Sequence, residues 1–310
     1  MEKIKAITNE AKSTGGVYLL DVYSGVSTNR SVLTLAGEPR DIEEAAFKIF
    51  KKSSELIDMR EHKGVHPRIG TVDVCPFIPV RDVAMEECSD IAKDVGRRVA
   101  EKLGIPVYLY GESASEEKRK DLSYIRRGGY EGLREKLKDP EWKSDFGESK
   151  FNGKSGASVI GARDFLIAFN INLDTKDKDL AGKIARRIRK SSTPEGIKAI
   201  GWYIEELGCA QVSTNVMNFR ATPLYILFEE VKKEAEKLSV EVTGSELVGL
   251  IPEEALLETG KFYLNGSLSN RETSKNRIIG AAVSELGLSD KCEFDPQEKI
   301  LEYKIKKEIL

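Results

Sequence analysis

Two histidines occur in the whole chain, and they stand four residues apart in the stretch Arg60-Glu61-His62-Lys63-Gly64-Val65-His66-Pro67-Arg68-Ile69-Gly70. Imidazole is the one side chain whose ordinary titration falls near neutral pH, so any proton transfer by histidine must happen here. Arg60, Lys63 and Arg68 surround the pair with cations that can hold an anionic substrate. Gly64 and Gly70 permit close approach of backbone or ligand, and Pro67 biases His66 away from helical geometry. The same spacing would suit two metal ligands on one helix face. Gly64 between the histidines and Pro67 behind them break such a helix, there is no third histidine, and Glu61 is not placed as in a zinc-binding HExxH. The stretch reads as a polar loop without a metal, leading into Asp73-Val74-Cys75-Pro76-Phe77-Ile78, an apolar run that reads as a buried strand. A polar loop running into a core strand is a usual place for a site.

The elements that must position this loop come from a chain of 310 residues, 40% hydrophobic and 32% charged, with a net charge of -2. That length suits one large or two medium domains. There is no basic excess to suggest nucleic acid. No apolar run approaches the roughly 18 residues of a membrane span, and Met1-Glu2-Lys3-Ile4 lacks the apolar core of a signal peptide. Cys75, Cys88, Cys209 and Cys292 are dispersed, without metal spacing. The expectation is a soluble cytoplasmic protein.

A weak helical face over residues 1–13 is followed by two strands, 17–23 and 31–35, joined by a polar turn. Asp41 is expected to cap a helix to about Met59. After the histidine loop come a helix over 84–103, closed by Gly104, and a strand over 105–110 that Pro106 assigns to a start or an edge. A helix over 122–137 is expected to break at Gly128-Gly129. Residues 139–156 read as one long loop, which inside a compact protein is usually functional or disordered. Its Gly153-Lys154-Ser155 is not a Walker A motif, because the upstream glycine spacing fails. A strong strand over 165–173, a basic helix over 180–190, two strands over 198–205 and 210–217, and a helix over 223–238 follow. Residues 240–242 read as a short strand and 243–251 as a loop. Two more helices, near 253–258 and 273–286, lead to a last strand at 300–303.

From Phe165 this is strand, helix, strand, strand, helix, strand, the ferredoxin-like order. The first half reads as the same unit without its opening strand, which is expected to lie upstream of Met1. The fold class is therefore α/β (α+β): two ferredoxin-like subdomains, 1–162 and 163–310, each a mostly antiparallel sheet covered by helices. A cleft between them is the natural place for a ligand.

The loop from His62 to Gly70, followed by the run from Asp73 to Val80, closely resembles the signature of the glutamate formimidoyltransferase family. The likeness continues through Leu19-Leu20-Asp21-Val22, Ser27-Thr28-Asn29-Arg30, Pro106-Val107-Tyr108-Leu109-Tyr110-Gly111-Glu112, Ala168-Phe169-Asn170-Ile171-Asn172-Leu173, Ala210-Gln211-Val212-Ser213-Thr214-Asn215 and residues 244–252, in order and over nearly the whole chain. The resemblance implies transfer of a formimidoyl group from N-formimidoyl-glutamate to tetrahydrofolate as co-substrate, in histidine breakdown, by a homodimer. It implies that His66 is the catalytic histidine and that folate is bound by Gly147, Glu148, Ser149, Lys150, Phe151, Asn152, Gly153, Lys154, Ser155 and Gly156. Some family members carry an acidic residue where Tyr23 stands.

The chemistry needs proton traffic more than a nucleophile, since folate N5 can attack the amidine-like carbon directly. His66 is the candidate acid/base, and Asp21 or Asp73 the candidate carboxylate to orient it. Arg68, Arg30 and Arg163 are candidate forks for substrate carboxylates, with His62 and Lys63 beside them. The sequence leaves two alternatives open: a folate-dependent transferase with a related formyl or formimidoyl donor, and a folate-binding protein without catalysis.

Overall fold

The computed structural model describes residues 2–191, 196–264 and 274–309. In chain order, α1 (Glu2–Lys12) precedes the hairpin strands β1 (Val17–Gly25) and β2 (Arg30–Gly37), then α2 (Pro39–Leu56), β3 (Val74–Phe77), α3 (Met85–Leu103) and β4 (Val107–Gly111). Two short helices, α4 (Leu122–Ile125) and α5 (Gly129–Lys136), lead to β5 (Ser158–Ala162) and β6 (Ile167–Leu173). The remainder is α6 (Lys178–Lys190), β7 (Ile197–Ile204), β8 (Cys209–Val216), α7 (Leu224–Glu236), β9 (Val242–Val248), α8 (Glu253–Leu264), α9 (Lys275–Glu285), α10 (Pro296–Lys299) and α11 (Leu301–Glu308). No helix among the described residues is long and apolar enough to cross a membrane.

The chain divides into two compact units. One holds Met1–Leu19 and Thr28–Asp164, the other Leu20–Ser27 and Phe165–Leu310.

In the first unit β5 lies between β3 and β4, and both pairings are parallel. This differs from the mostly antiparallel sheet expected there. The reason lies in β5: Ser158-Val159-Ile160-Gly161-Ala162 is buried at every position, as parallel strands covered on both faces are, so it shows no alternation to recognise. On one face Ile160, Ala162, Val107 and Phe77 pack with Phe50, Ala92, Val95 and Val99 of α2 and α3. On the other, Val159, Tyr108 and Tyr110 pack with Ile69, Ile125 and Leu133 beneath α4 and α5. The edge position expected from Pro106 is where β4 lies. The cap of α2 is Glu38, with Pro39 in its first turn, rather than Asp41.

In the second unit the strands run β7-β8-β6-β9, every neighbour antiparallel. Ile167, Phe169, Ile171 and Leu173 of β6 face a core with Ile184, Ile188, Leu227 and Val231 of α6 and α7. The alternate residues Asn170 and Asn172 are buried too, so the opposite face of this sheet is polar. Two assignments change here. Residues 243–248, expected as loop, belong to β9, where Gly244 marks a tight passage: a Cβ there would lie 2.7 Å from the Gly287 carbonyl oxygen. The expected last strand at 300–303 is the start of α11; Ile300 makes one parallel bridge to Ile251 before the chain turns helical. The expected helix start at Thr273 lies outside the described residues.

Candidate active site

The histidine loop leaves α2 through a short 3₁₀ turn at Met59–Glu61, capped by Asp58, whose carboxylate accepts from the Arg60 backbone N–H at 3.1 Å and from its Nε at 2.8 Å. It then rides on the turn before β2. Asn29, in left-handed geometry at φ 46°, donates from Nδ2 to the Lys63 carbonyl at 2.8 Å and lies 3.2 Å from His62 Nδ1. A Cβ on Gly64 would stand 2.3 Å from the Thr28 carbonyl oxygen, so this contact requires glycine.

Arg30, on β2, turns its Nη1 onto Nε2 of His66. Guanidinium has donors and no acceptor, so Nε2 must present its lone pair and the ring proton sits on Nδ1. That proton is donated to the Pro67 carbonyl oxygen at 2.7 Å. Burial, then the charges of Arg30 and Arg126, push the imidazole down to about 3. At neutral pH His66 is a neutral base with its lone pair held among cations.

The remaining loop contacts differ from the roles the sequence suggests. The fork of Arg68 is taken: Nη1 and Nη2 donate to the two Glu131 oxygens at 2.9 and 2.7 Å, and Nη2 also to the His62 carbonyl at 3.1 Å. Asp73 accepts from the Ile69 N–H at 2.8 Å and from Arg126 Nη2, so it holds the loop and a second arginine, while the Pro67 carbonyl takes the imidazole proton. Asp21 lies in the other unit, with Oδ1 3.4 Å from Lys299 Nζ. Arg163 follows β5, donates from Nη1 to the Asp164 carbonyl at 2.7 Å, and lies against the buried hydroxyl of Tyr110, which burial pushes above its ordinary range. Lys63 is exposed.

Residues 147–156 are brought against the histidine loop within the first unit. The Met59 N–H donates to the Lys154 carbonyl at 2.9 Å, Thr71 N–H to the Ser155 carbonyl at 2.9 Å, and Ala157 N–H to the Ile69 carbonyl at 3.0 Å. Gly70 and Gly156 form an antiparallel bridge at the crossing. Phe151 lies between Tyr130, 5.7 Å between ring centres, and Arg134, 4.7 Å over its ring. Tyr130 donates to the Gly153 carbonyl, and Asn152 Nδ2 to the Gly104 carbonyl at 3.2 Å. Gly147 turns at φ +82° beside Ala100, its carbonyl accepting from Ser144 Oγ at 3.1 Å, while Ser149 Oγ accepts from the Ser144 N–H at 3.0 Å.

Three participants were not singled out from sequence: Asn29, Glu131 and Arg126. Arg126 stands beside Arg127 and a glycine pair, a pattern that reads as a solvated helix end; only the pairing with Asp73 separates it from its neighbour.

In the second unit the polar sheet face gathers around Glu246. Its Oε1 accepts from the Tyr23 hydroxyl at 2.7 Å, and its Oε2 from Gln211 Nε2 at 3.1 Å and Asn170 Nδ2 at 3.2 Å. Gln211 also bridges Trp202 and Asn172, each at 2.8 Å.

An α/β protein with a neutral imidazole, its Nδ1–H on the Pro67 carbonyl and its Nε2 facing Arg30, has the equipment for proton transfer. The sequence models of known families carry this further: the formiminotransferase domain, N-terminal subdomain, matches residues 1–163, and the formiminotransferase domain matches residues 168–306. The chain belongs to the formiminotransferase family. It is 48% identical over 309 residues to the formimidoyltransferase-cyclodeaminase of Rattus norvegicus, covering 97% of this chain and 57% of that protein. It is 46% identical over 262 residues to the glutamate formimidoyltransferase of Streptococcus pyogenes serotype M1 (84% of this chain, 88% of that one). With the glutamate formimidoyltransferase of Thermoplasma acidophilum the identity is 44% over 266 residues (85% and 88%). The chain thus spans little more than half the length of the bifunctional relatives it matches.

Proposed function

We propose that this chain is a glutamate formimidoyltransferase, moving the formimidoyl group of N-formimidoyl-L-glutamate to N5 of tetrahydrofolate and releasing 5-formimidoyltetrahydrofolate and L-glutamate. The observation that carries the proposal is the state of His66: neutral, protonated on Nδ1, with Nε2 facing Arg30. The similarity to relatives named glutamate formimidoyltransferase supports the choice of substrates.

In this reaction N5 attacks the formimidoyl carbon and the new C–N bond leaves an extra proton on N5. His66 Nε2 takes that proton. The C–N bond to glutamate then breaks as the imidazolium returns the proton to the departing nitrogen, so the histidine ends as it began. Arg30 releases Nε2 when a substrate carboxylate draws its guanidinium away. The Pro67 carbonyl holds Nδ1–H and so keeps the ring in the basic tautomer throughout. Positioning two substrates against one base contributes a large share of the rate, and residues 147–156, tied to the same loop, are our candidate folate segment. Arg30 and Arg163 remain our candidate carboxylate forks, while Arg68, paired with Glu131, is assigned to holding the loop.

We read the second unit as ferredoxin-like, on its βαββαβ order and its β9-β6-β8-β7 antiparallel sheet. A homodimer working in the cytoplasm, with no nucleic-acid or membrane partner, is the setting proposed from the resemblance and the mixed surface charge. The test is direct: purified protein with formimidoyl-glutamate and tetrahydrofolate, followed by folate absorbance and by glutamate release. Equal amounts of both products are expected; absence of glutamate release with this donor would overturn the reading.

A further inference from the structure

We propose that Arg126 binds the α-carboxylate of the glutamate donor, using the guanidinium hydrogens that Asp73 leaves uncommitted; the inference rests on the reading above. Asp73 divides its carboxylate, one oxygen on the Ile69 N–H at 2.8 Å and the other on Arg126 Nη2. A guanidinium has five N–H donors. The Nε–H of Arg126 is buried and meets no acceptor among the described residues, and a buried donor left without an acceptor is costly and seldom kept without a use. Its backbone is fixed, the N–H donating to the Leu122 carbonyl at 3.0 Å at the end of α4. The side chain is held by an ion pair that is itself mostly shielded, with 16% of Arg126 and 17% of Asp73 exposed.

Position decides which anion fits. Through Asp73, Arg126 is tied to the Ile69 N–H in the same loop as His66, and its charge acts on the imidazole. In the donor the α-carboxylate is attached to the carbon that bears the departing nitrogen, so a histidine that protonates that nitrogen has this carboxylate within a few bonds of it. The carboxylates of folate lie at the far end of the molecule from N5. Arg68, the arginine of the motif itself, is engaged by Glu131 and the His62 carbonyl. The planar fork of arginine, which lysine cannot reproduce, is suited to a carboxylate.

Arg126→Lys keeps the charge and removes the Nε–H. The expected result is a rise in KM for formimidoyl-glutamate of roughly 10–100-fold, the loss of a hydrogen bond to a charged group, with kcat and the KM for tetrahydrofolate little changed. An unchanged donor KM, or a rise in both KM values together, overturns the assignment. A readout independent of turnover, and of whether the variant folds, is the Nε–H resonance of Arg126 in the wild-type protein during titration with L-glutamate. A downfield shift that saturates supports the assignment even if formimidoyl transfer is not observed. A resonance unmoved up to the solubility limit of glutamate overturns it even if transfer is observed.

Discussion

The proton on Nδ1 of His66 is committed to the Pro67 carbonyl, so Nε2 is the only ring atom where a proton can arrive during a reaction. Removing it with His66→Ala is expected to lower kcat by about 10²–10⁴-fold, the usual worth of a general acid/base, while folate binding survives because residues 147–156 keep their own contacts. Turnover above about a tenth of wild type would contradict the role. The same residue gives a pH prediction with a definite sign. Its folded value is lowered from 6.5 to about 3 by burial and by Arg30 and Arg126. Above pH 6.5 the ring is neutral folded or unfolded, and the stability linked to it is fully present. As pH falls toward 3 the unfolded chain gains a proton that the native site refuses, so that stability is lost. Melting temperature should therefore fall more steeply over this window for wild type than for His66→Gln, and coincident curves would refute it. The setting of His66 is not legible in its motif: it comes from burial first, then from Arg30, 36 residues before it in the chain, and Arg126, at a helix end beyond β4.

Loops that carry no regular structure are held here by a pair of glycines. A Cβ on Gly156, at φ +71°, would lie 2.1 Å from the Ile69 carbonyl oxygen, and one on Gly70 would lie 2.1 Å from that of Ala157. Both contacts are with backbone and cannot yield cheaply. Gly156→Ala is expected to cost about 2–4 kcal/mol in urea unfolding, combining a left-handed residue with a clash. Gly153→Ala, whose Cβ would meet nothing nearer than the Phe151 ring at 3.5 Å, should stay within about 0.5 kcal/mol of wild type. Equal effects at both positions would show that the crossing does not constrain the loops. The sequence reading marked both loops, because their glycines, cations and histidines are unusual in themselves. It could not show β5, whose residues are buried on both faces, or the strand character of residues 243–248, where Gly244 serves a close passage rather than a turn. Nor could local apolarity at Ile300 and Leu301 separate a strand from the helix that charge pairs such as Lys304 with Glu298 accompany.

The division of the whole chain is not a single cut. The short segment Leu20–Ser27 belongs with Phe165–Leu310, and its contacts there are chemical as well as spatial. Tyr23 donates to Glu246 at 2.7 Å, Lys299 reaches Asp21 at 3.4 Å, and Glu206 accepts from the N–H groups of Val26 and Ser27, both at 3.1 Å. Glu246 is only 8% exposed, so without the Tyr23 hydroxyl a buried carboxylate loses one of its donors, a loss of about 1.5–3 kcal/mol for a hydrogen bond to a charged group. Hydrophobic periodicity carries no trace of such a long-range assignment, which is why the expected boundary in the sequence is one continuous division near residue 162. A fragment of residues 165–310 should then melt below the same fragment supplied with a peptide spanning 17–28, and the peptide should bind it saturably. A peptide with Tyr23→Phe should stabilise it less, since it restores the strand without the hydroxyl donor. If neither peptide changes the melting of the fragment, the segment's contacts do not contribute to the stability of the second unit, and Glu246 must be satisfied by Asn170 and Gln211 alone.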